Sequence, residues 1–289
     1  MKLEGRRESS NVEDRRRMSG GAKAGLGIGG IALIALITML SGGDLGDIIN
    51  VVNSNGGLVT EQTTTGGTEF SAQEQELATF SSKILAGTED VWSTLFKQHG
   101  LTYTPPRMVL YTNSVQTACG GATSAVGPFY CSGDQTLYID LSFFSSMKKE
   151  LGADGDFAYA YVIAHEVGHH VEYLLGTLQK VNRAMQGVSK TEANRLSVRL
   201  ELLADYYAGV WANNDNRLFS SIEEGDIKEA IRCSEVIGDD YLQEKSYGRS
   251  MPDTFTHGTS EQRERWLALG LKYGDMTKYS PFNYSDEQL

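Results

Sequence analysis

The chain has 289 residues, 40% of them hydrophobic, and a net charge of −11 from 26 basic and 37 acidic side chains. That is chain enough for a sizeable core. It is too acidic for a nucleic-acid partner, which needs clustered Lys and Arg against phosphate. The charge is unevenly spread: residues 1–23 carry seven Lys or Arg and four Asp or Glu (+3), which leaves −14 on the remainder.

Residues 24–41, AGLGIGGIALIALITMLS, form an uncharged run of 18, near the lower limit for a spanning helix. Arg15-Arg16-Arg17 stand before it. The positive-inside rule then predicts a cytoplasmic basic start (1–23), one transmembrane anchor (24–41) and a remainder on the far side. A cleaved signal peptide is the alternative, but the basic region is long and no A-x-A site follows. Gly21, Gly25 and Gly29 make a small-xxx-small row through which two such helices could pair as a homodimer. A flexible glycine-rich entry accounts for the row equally well. Residues 42–70 hold seven glycines and the tract Thr63-Thr64-Thr65-Gly66-Gly67, and read as a flexible tether. The folded domain is expected over 71–289.

Within it, Ser71–Gln98 reads as a helix opened by a Ser71/Glu74 capping box. Arg107–Tyr111 and Thr136–Leu141 read as strands. Between them Cys119 and Cys131 bracket a Gly-rich stretch. The chain's three cysteines allow three single pairings. Outside the cytoplasm a Cys119–Cys131 disulfide is expected, closing a loop that gains ~3 kcal/mol in the chain-entropy model and leaving Cys233 as a thiol in a helix. No CxxC pair suggests a cysteine metal site. Asp156–Leu175, Thr191–Asn213, Ile222–Ile237 and Ser260–Leu269 read as helices, the last with Ser260 suited to its N-cap. The fold class is α+β, mainly helical, with a small sheet.

Three of the five histidines fall in one six-residue window, His165-Glu166-Val167-Gly168-His169-His170. His165 and His169, at i and i+4, share one helix face and could hold one Zn²⁺ at ~2.0–2.1 Å. Glu166, about 100° round the helix, is placed to act as general base on water rather than as a ligand. Gly168 would let another backbone approach the metal face. Glu172 lies roughly 10 Å along the axis from His165, too far to join the same ion; it reads as structural or substrate-facing. His170 points away from the metal face and reads as a core or supporting histidine. The third ligand must come from another element, and Glu201 is the candidate. It is a carboxylate among Leu200, Leu202 and Leu203, costly to bury unless paired or metal-bound. One turn on, Asp205 could accept a hydrogen bond from a ligand histidine and fix its tautomer. His257, in a Thr-His-Gly-Thr-Ser turn, is placed to stabilise an oxyanion; anchoring the turn is the plainer role for it, and Tyr241 and Tyr247 are weaker candidates for the same task.

HExxH on one helix and ExxxD on a second resemble the gluzincin metallopeptidases. The chain more closely resembles the bacterial neutral zinc metallopeptidase family, a set of membrane-anchored proteins. The resemblance rests on Gly127-Pro128-Phe129-Tyr130-Cys131, Leu137-Tyr138-Ile139-Asp140-Leu141, the HExxHH run, Glu201 through Trp211, and Thr256 through Arg263. It spans roughly residues 71–275 and implies a zincin-like hydrolase fold in which a strand beside the active-site helix pairs with extended substrate; Thr136–Leu141 is the strand expected. The combined expectation is a single-pass protein of the bacterial inner membrane with a periplasmic zinc metallopeptidase domain. Zinc would be held by His165, His169 and Glu201, with Glu166 as base and a peptide or protein as substrate. Two rivals remain: a zinc-stabilised envelope scaffold without catalysis, against which Glu166 argues, and a cell-wall peptide amidase.

Overall fold

The computed structural model describes residues 1–17 and 70–289. Eight helices and a small sheet build one hydrophobic core among these residues.

The first helix, α1 (Ala72–Gln98), starts where the capping box predicts. The Glu74 amide donates to Ser71 Oγ at 3.2 Å and the Ser71 amide donates to the Glu74 carboxylate at 2.9 Å. The strands are β1 (Val12–Asp14), β2 (Arg107–Tyr111), β3 (Ser114–Thr117), β4 (Gly120–Thr123), β5 (Phe129–Cys131) and β6 (Thr136–Asp140). A four-stranded sheet runs β1-β2-β6-β5, parallel except for the antiparallel β5–β6 pair, and β3–β4 form a separate hairpin. Every residue of β6 is buried. Leu137 and Ile139 face the main core on one side of the sheet, while Tyr138 joins Val109, Tyr111 and Cys131 in a smaller core under the β3–β4 hairpin. Burial on both faces explains why β6 reads as a continuous apolar run rather than an alternation.

This placement corrects the substrate-strand expectation. Thr136–Leu141 supplies a central strand whose ladders are both taken, by β2 and β5. The strand with a free edge beside the first HExxH turns is β5. Its end is fastened by the Cys119–Cys131 disulfide, which ties the β3–β4 turn to it. Cys233 is a buried thiol, pushed up to about 12 by burial.

After β6 come α2 (Ser142–Ser146), which runs into a π turn at Met147–Leu151, then α3 (Asp156–Leu174), α4 (Thr177–Met185), α5 (Lys190–Phe219), α6 (Asp226–Val236), α7 (Asp239–Tyr247) and α8 (Ser260–Tyr273). The α3 helix carries HExxH and α5 carries ExxxD. Gly155 gives α3 no capping side chain, so the Glu229 carboxylate of α6 accepts from the Phe157 amide at 3.1 Å instead. The N-cap of α8 is Thr259 rather than Ser260. Its hydroxyl accepts from the Gln262 amide, and the Gln262 side chain accepts from the Thr259 amide, a full T-x-x-Q box. Ser260 is occupied elsewhere, by Asp240 and the Glu235 carbonyl.

The first 17 residues belong to the same body. β1 adds to the free side of β2, with the Met108 amide donating to the Asn11 carbonyl at 2.9 Å and the Arg15 amide to the Leu110 carbonyl at 2.8 Å. Ser9 Oγ donates to Glu89 of α1, and Arg6 pairs at 2.8 Å with Asp215, a fully buried carboxylate of α5. The basic start therefore packs directly on the domain expected from 71. The anchor at 24–41, the Gly21/Gly25/Gly29 row and nearly all of the 42–70 tether lie outside the described residues. Among the described residues no helix is long and apolar enough to cross a membrane.

The two metal-motif helices cross at Gly168. A Cβ there would lie 2.9 Å from both the Cα and the carbonyl oxygen of Ala204. Backbone cannot yield as a flexible side chain can, so Gly168→Ala is expected to force α3 from α5 and cost about 1–3 kcal/mol of stability, read as a lowered denaturant midpoint.

Candidate metal centre

One turn of α3 projects His165 and His169 toward α5, where Glu201 faces them. His165 Nε2 is 3.1 Å from Glu201 Oε2, and His169 Nε2 is 3.5 Å from Glu201 Oε1. The three candidate ligand atoms all lie within 4.8 Å of one another. Two donors each ~2.1 Å from one tetrahedral ion sit roughly 3.3 Å apart, so Glu201 lies at zinc-ligand spacing from both imidazoles. Donor chemistry agrees: two imidazoles and a carboxylate are a hydrolytic zinc set, and three protein ligands leave a fourth position open.

Both imidazoles are held from behind. His165 Nδ1 lies 2.8 Å from Asp205 Oδ1, and His169 Nδ1 lies 3.0 Å from Glu172 Oε2. A carboxylate on Nδ1 assigns the ring proton there and turns the Nε2 lone pair toward Glu201. Asp205 is itself fully buried and takes three more donors: Arg263 Nε at 2.9 Å, Arg263 Nη2 at 3.0 Å and the Tyr161 hydroxyl at 2.5 Å. Burial alone would push the Asp205 carboxyl up. The Arg263 guanidinium and His165 overcome it and hold the group down at about 2. Glu172 has no such cation behind it. Burial raises its carboxyl to about 7 although His169 pulls it down. His165 shows the opposite balance: burial disfavours its cation, but Asp205 and Glu201 raise it to about 9. Burial and the site's charges work against each other on Glu201 too, and His169 and His257 hold it well below the ordinary carboxylate range.

A cleft of about 360 Å³ opens on this cluster. Glu166 lines it, 9% exposed, and makes no hydrogen bond to another described side chain. Burial raises its carboxyl above the ordinary value. His257 also lines the cleft, with its ring raised above the ordinary histidine value: burial opposes, while Glu201 and Asp239 favour the cation. Asp239, fully buried at the start of α7, fixes that turn. Its Oδ2 accepts from the amides of Thr256, His257 and Gly258 at 2.7, 2.7 and 3.0 Å, and its Oδ1 lies 3.4 Å from His257 Nδ1. The remaining wall is largely apolar, with Phe129 of β5, Phe143 of α2, Val126 and Val162.

The structure therefore brings together His165, Glu166, His169, Glu201, Asp205 and His257, and sets the Cys119–Cys131 bridge in the cleft wall. Tyr241 and Tyr247 do not line the cleft, and Tyr247 is half exposed on the surface of α7. His170 faces away, its Nε2 2.7 Å from the Thr104 carbonyl and its Nδ1 2.9 Å from the Tyr130 hydroxyl, with burial lowering it to about 4. Two supporting residues, Arg263 and Asp239, were not singled out from sequence, whereas Glu172 reads there as structural or substrate-facing. Glu172 carries a local signal, since it stands at i+3 from His169 on one helix face. Arg263 and Asp239 carry none, because only the tertiary packing of α8 and α7 delivers them.

HExxH crossing ExxxD, with each imidazole backed by a carboxylate, defines the class of two-helix zinc-hydrolase sites. The chain belongs to the family described as putative neutral zinc metallopeptidase, whose model matches residues 1–282. It is 48% identical to the Escherichia coli K12 protein YpfJ over 291 residues, 99% of this chain and all of that one. It is 39% identical to the Mycobacterium tuberculosis H37Rv protein Rv2575 over 194 residues, 64% of each. Both relatives are uncharacterized by title. No solved structure matches the chain.

Two outcomes are expected. Arg263→Met should leave Asp205 as a buried charge without its main partner and cost about 3–5 kcal/mol, measured by chemical denaturation. Zinc affinity of the metal-free chain should rise with pH between 6 and 9, because His165, at about 9, must shed its proton to bind metal. Competition against a chelator at a series of pH values measures it; an affinity flat across that window would contradict the assignment of His165 as ligand.

Proposed function

We propose that the chain is a zinc-dependent metallopeptidase that hydrolyses peptide bonds, with His165, His169 and Glu201 holding the ion. The observation that carries this reading is the pairing of a three-donor cluster with a raised, unengaged Glu166 on the wall of the same open cleft. A purely structural metal site has no use for either the opening or the base. Zinc, when bound, would polarise a scissile carbonyl and lower the pKa of a water to about 7.

The chain's own residues supply the rest. Glu166 takes the proton of the attacking water, and its raised carboxyl then suits it to hand that proton to the leaving amine. His257, raised above the ordinary histidine value by Glu201 and Asp239, donates to the oxygen on which negative charge develops. Asp205 and Glu172 keep both imidazoles in one orientation throughout, so no reorganisation is needed during the reaction. The free edge of β5 offers main-chain donors and acceptors to an extended peptide, while Phe129, Phe143 and Val162 favour an apolar side chain beside the site.

The test is a comparison of wild type with Glu166→Gln. Both should bind one zinc per chain, since residue 166 is not a ligand. Only wild type should cleave a diverse peptide library, with the variant's kcat/KM reduced at least 10²-fold. Cleavage by both proteins would remove Glu166 from the mechanism. Zinc binding with cleavage by neither would favour a binding protein of the same family. His257→Ala should lower kcat about 10²- to 10³-fold with little change in zinc content, measured by steady-state kinetics and metal analysis.

A further inference from the structure

We infer that residues 1–17 and residues 70–289 occupy the same side of any membrane this chain meets. The inference is independent of what reaction the site performs.

Four observations carry it. First, β1 is part of the sheet, in parallel register with β2 over Val12↔Met108, Glu13↔Val109 and Asp14↔Leu110. Second, the contacts are of the kind a folded domain makes inside itself. Arg6 reaches Asp215, a carboxylate with no exposure, and Ser9 and Asn11 both donate to Glu89, which is 6% exposed. Without the N-terminal segment Glu89 loses its donors, and Asp215 loses its cationic partner and keeps only the Ser221 hydroxyl. Leaving a buried charge unpaired is far more costly than never building the pair. Third, the two described stretches adjoin at their ends: the Arg16 guanidinium lies 3.8 Å from the centre of the Phe70 ring and donates to the Glu74 carbonyl at 3.1 Å. Fourth, the family model begins at residue 1, so the N-terminal segment belongs to the family's shared sequence together with the metal motifs.

Topology then decides. A chain that crosses a bilayer once between residues 17 and 70 puts those residues on opposite faces, roughly 30 Å of hydrocarbon apart. Arg16 and Phe70 are in contact. Two crossings would restore them to one face, but each needs about 17–25 apolar residues, and the uncharged run is 18 long in total. The basic residues that would otherwise hold the start in the cytoplasm are also partly spent on internal pairs: Arg6 with Asp215, Arg7 with Glu89 and Asp90, Arg15 with Glu13 and Arg16 with Asp14. Their pull on orientation is correspondingly less than a free polybasic tail exerts.

The experiment uses the full-length chain in intact cells. Single cysteines are placed at two exposed positions, Glu8→Cys in the N-terminal segment and Lys180→Cys on α4, in a background with Cys119→Ser, Cys131→Ser and Cys233→Ser that is itself the labelling control. Each is labelled with a membrane-impermeant maleimide in whole cells or spheroplasts, and again after lysis. Both sites labelling from outside, or both only after lysis, is the expected result; which of the two occurs also fixes the compartment of the catalytic cleft. One site labelling from outside and the other only after lysis would overturn the inference. A second measurement guards against a variant that misfolds: native nicking between residues 18 and 69 should leave the N-terminal peptide bound to the domain through gel filtration, and its loss under native conditions would equally overturn it.

Discussion

The rest of the site depends on a single buried carboxylate, Asp205, caught between a cation and an imidazole. Arg263 holds it through two nitrogens and Tyr161 through its hydroxyl, and what remains of Asp205 is directed at His165 Nδ1. An unpaired carboxylate with no exposure would neutralise or unfold its surroundings. Paired this way, it joins α3, α5 and α8 at one point and fixes the tautomer of a candidate ligand in the same stroke. The close approach of Gly168 to Ala204 makes the geometry reachable, since a larger residue would hold α3 and α5 too far apart for His165 and Glu201 to meet.

The two candidate ligand histidines are supported differently. Behind His165 stands a carboxylate held at about 2 by an arginine; behind His169 stands Glu172, raised by burial to about 7. The first support is a fixed charge. The second is raised toward neutrality and supports His169 through both its charge and a hydrogen bond. Glu166 and His257 both line the cleft, and both are raised from their ordinary values in the sense their proposed tasks require. Titratable groups pushed apart within one cleft are a common mark of a working site.

What sequence could and could not reveal follows the range of the forces involved. The i, i+4 spacing of His165 and His169 and of Glu201 and Asp205 is a local helical property, so those residues were legible, as was the Ser71/Glu74 cap. The family membership and the Cys119–Cys131 bridge were expected and are found. The substrate-strand expectation failed at β6 because a run buried on both faces marks a central strand, whereas the accessible edge belongs to β5, three residues too short to give a periodic signal. The packing of the N-terminal segment on the domain was not legible for a related reason. A hydropathy run speaks for itself locally, but β1's pairing with β2 joins residues almost a hundred positions apart, and no local pattern announces it. Arg263 and Asp239 were missed on the same ground.

The central claim is that two imidazole nitrogens and one carboxylate converge on one ion and leave it open to water. X-ray absorption at the zinc edge of the purified, zinc-loaded chain measures that environment directly. Two imidazole nitrogens at ~2.0–2.1 Å with a shell completed only by oxygen, and no sulfur, is the expected result. Sulfur scattering at about 2.3 Å, or a shell closed by a third imidazole, would contradict it.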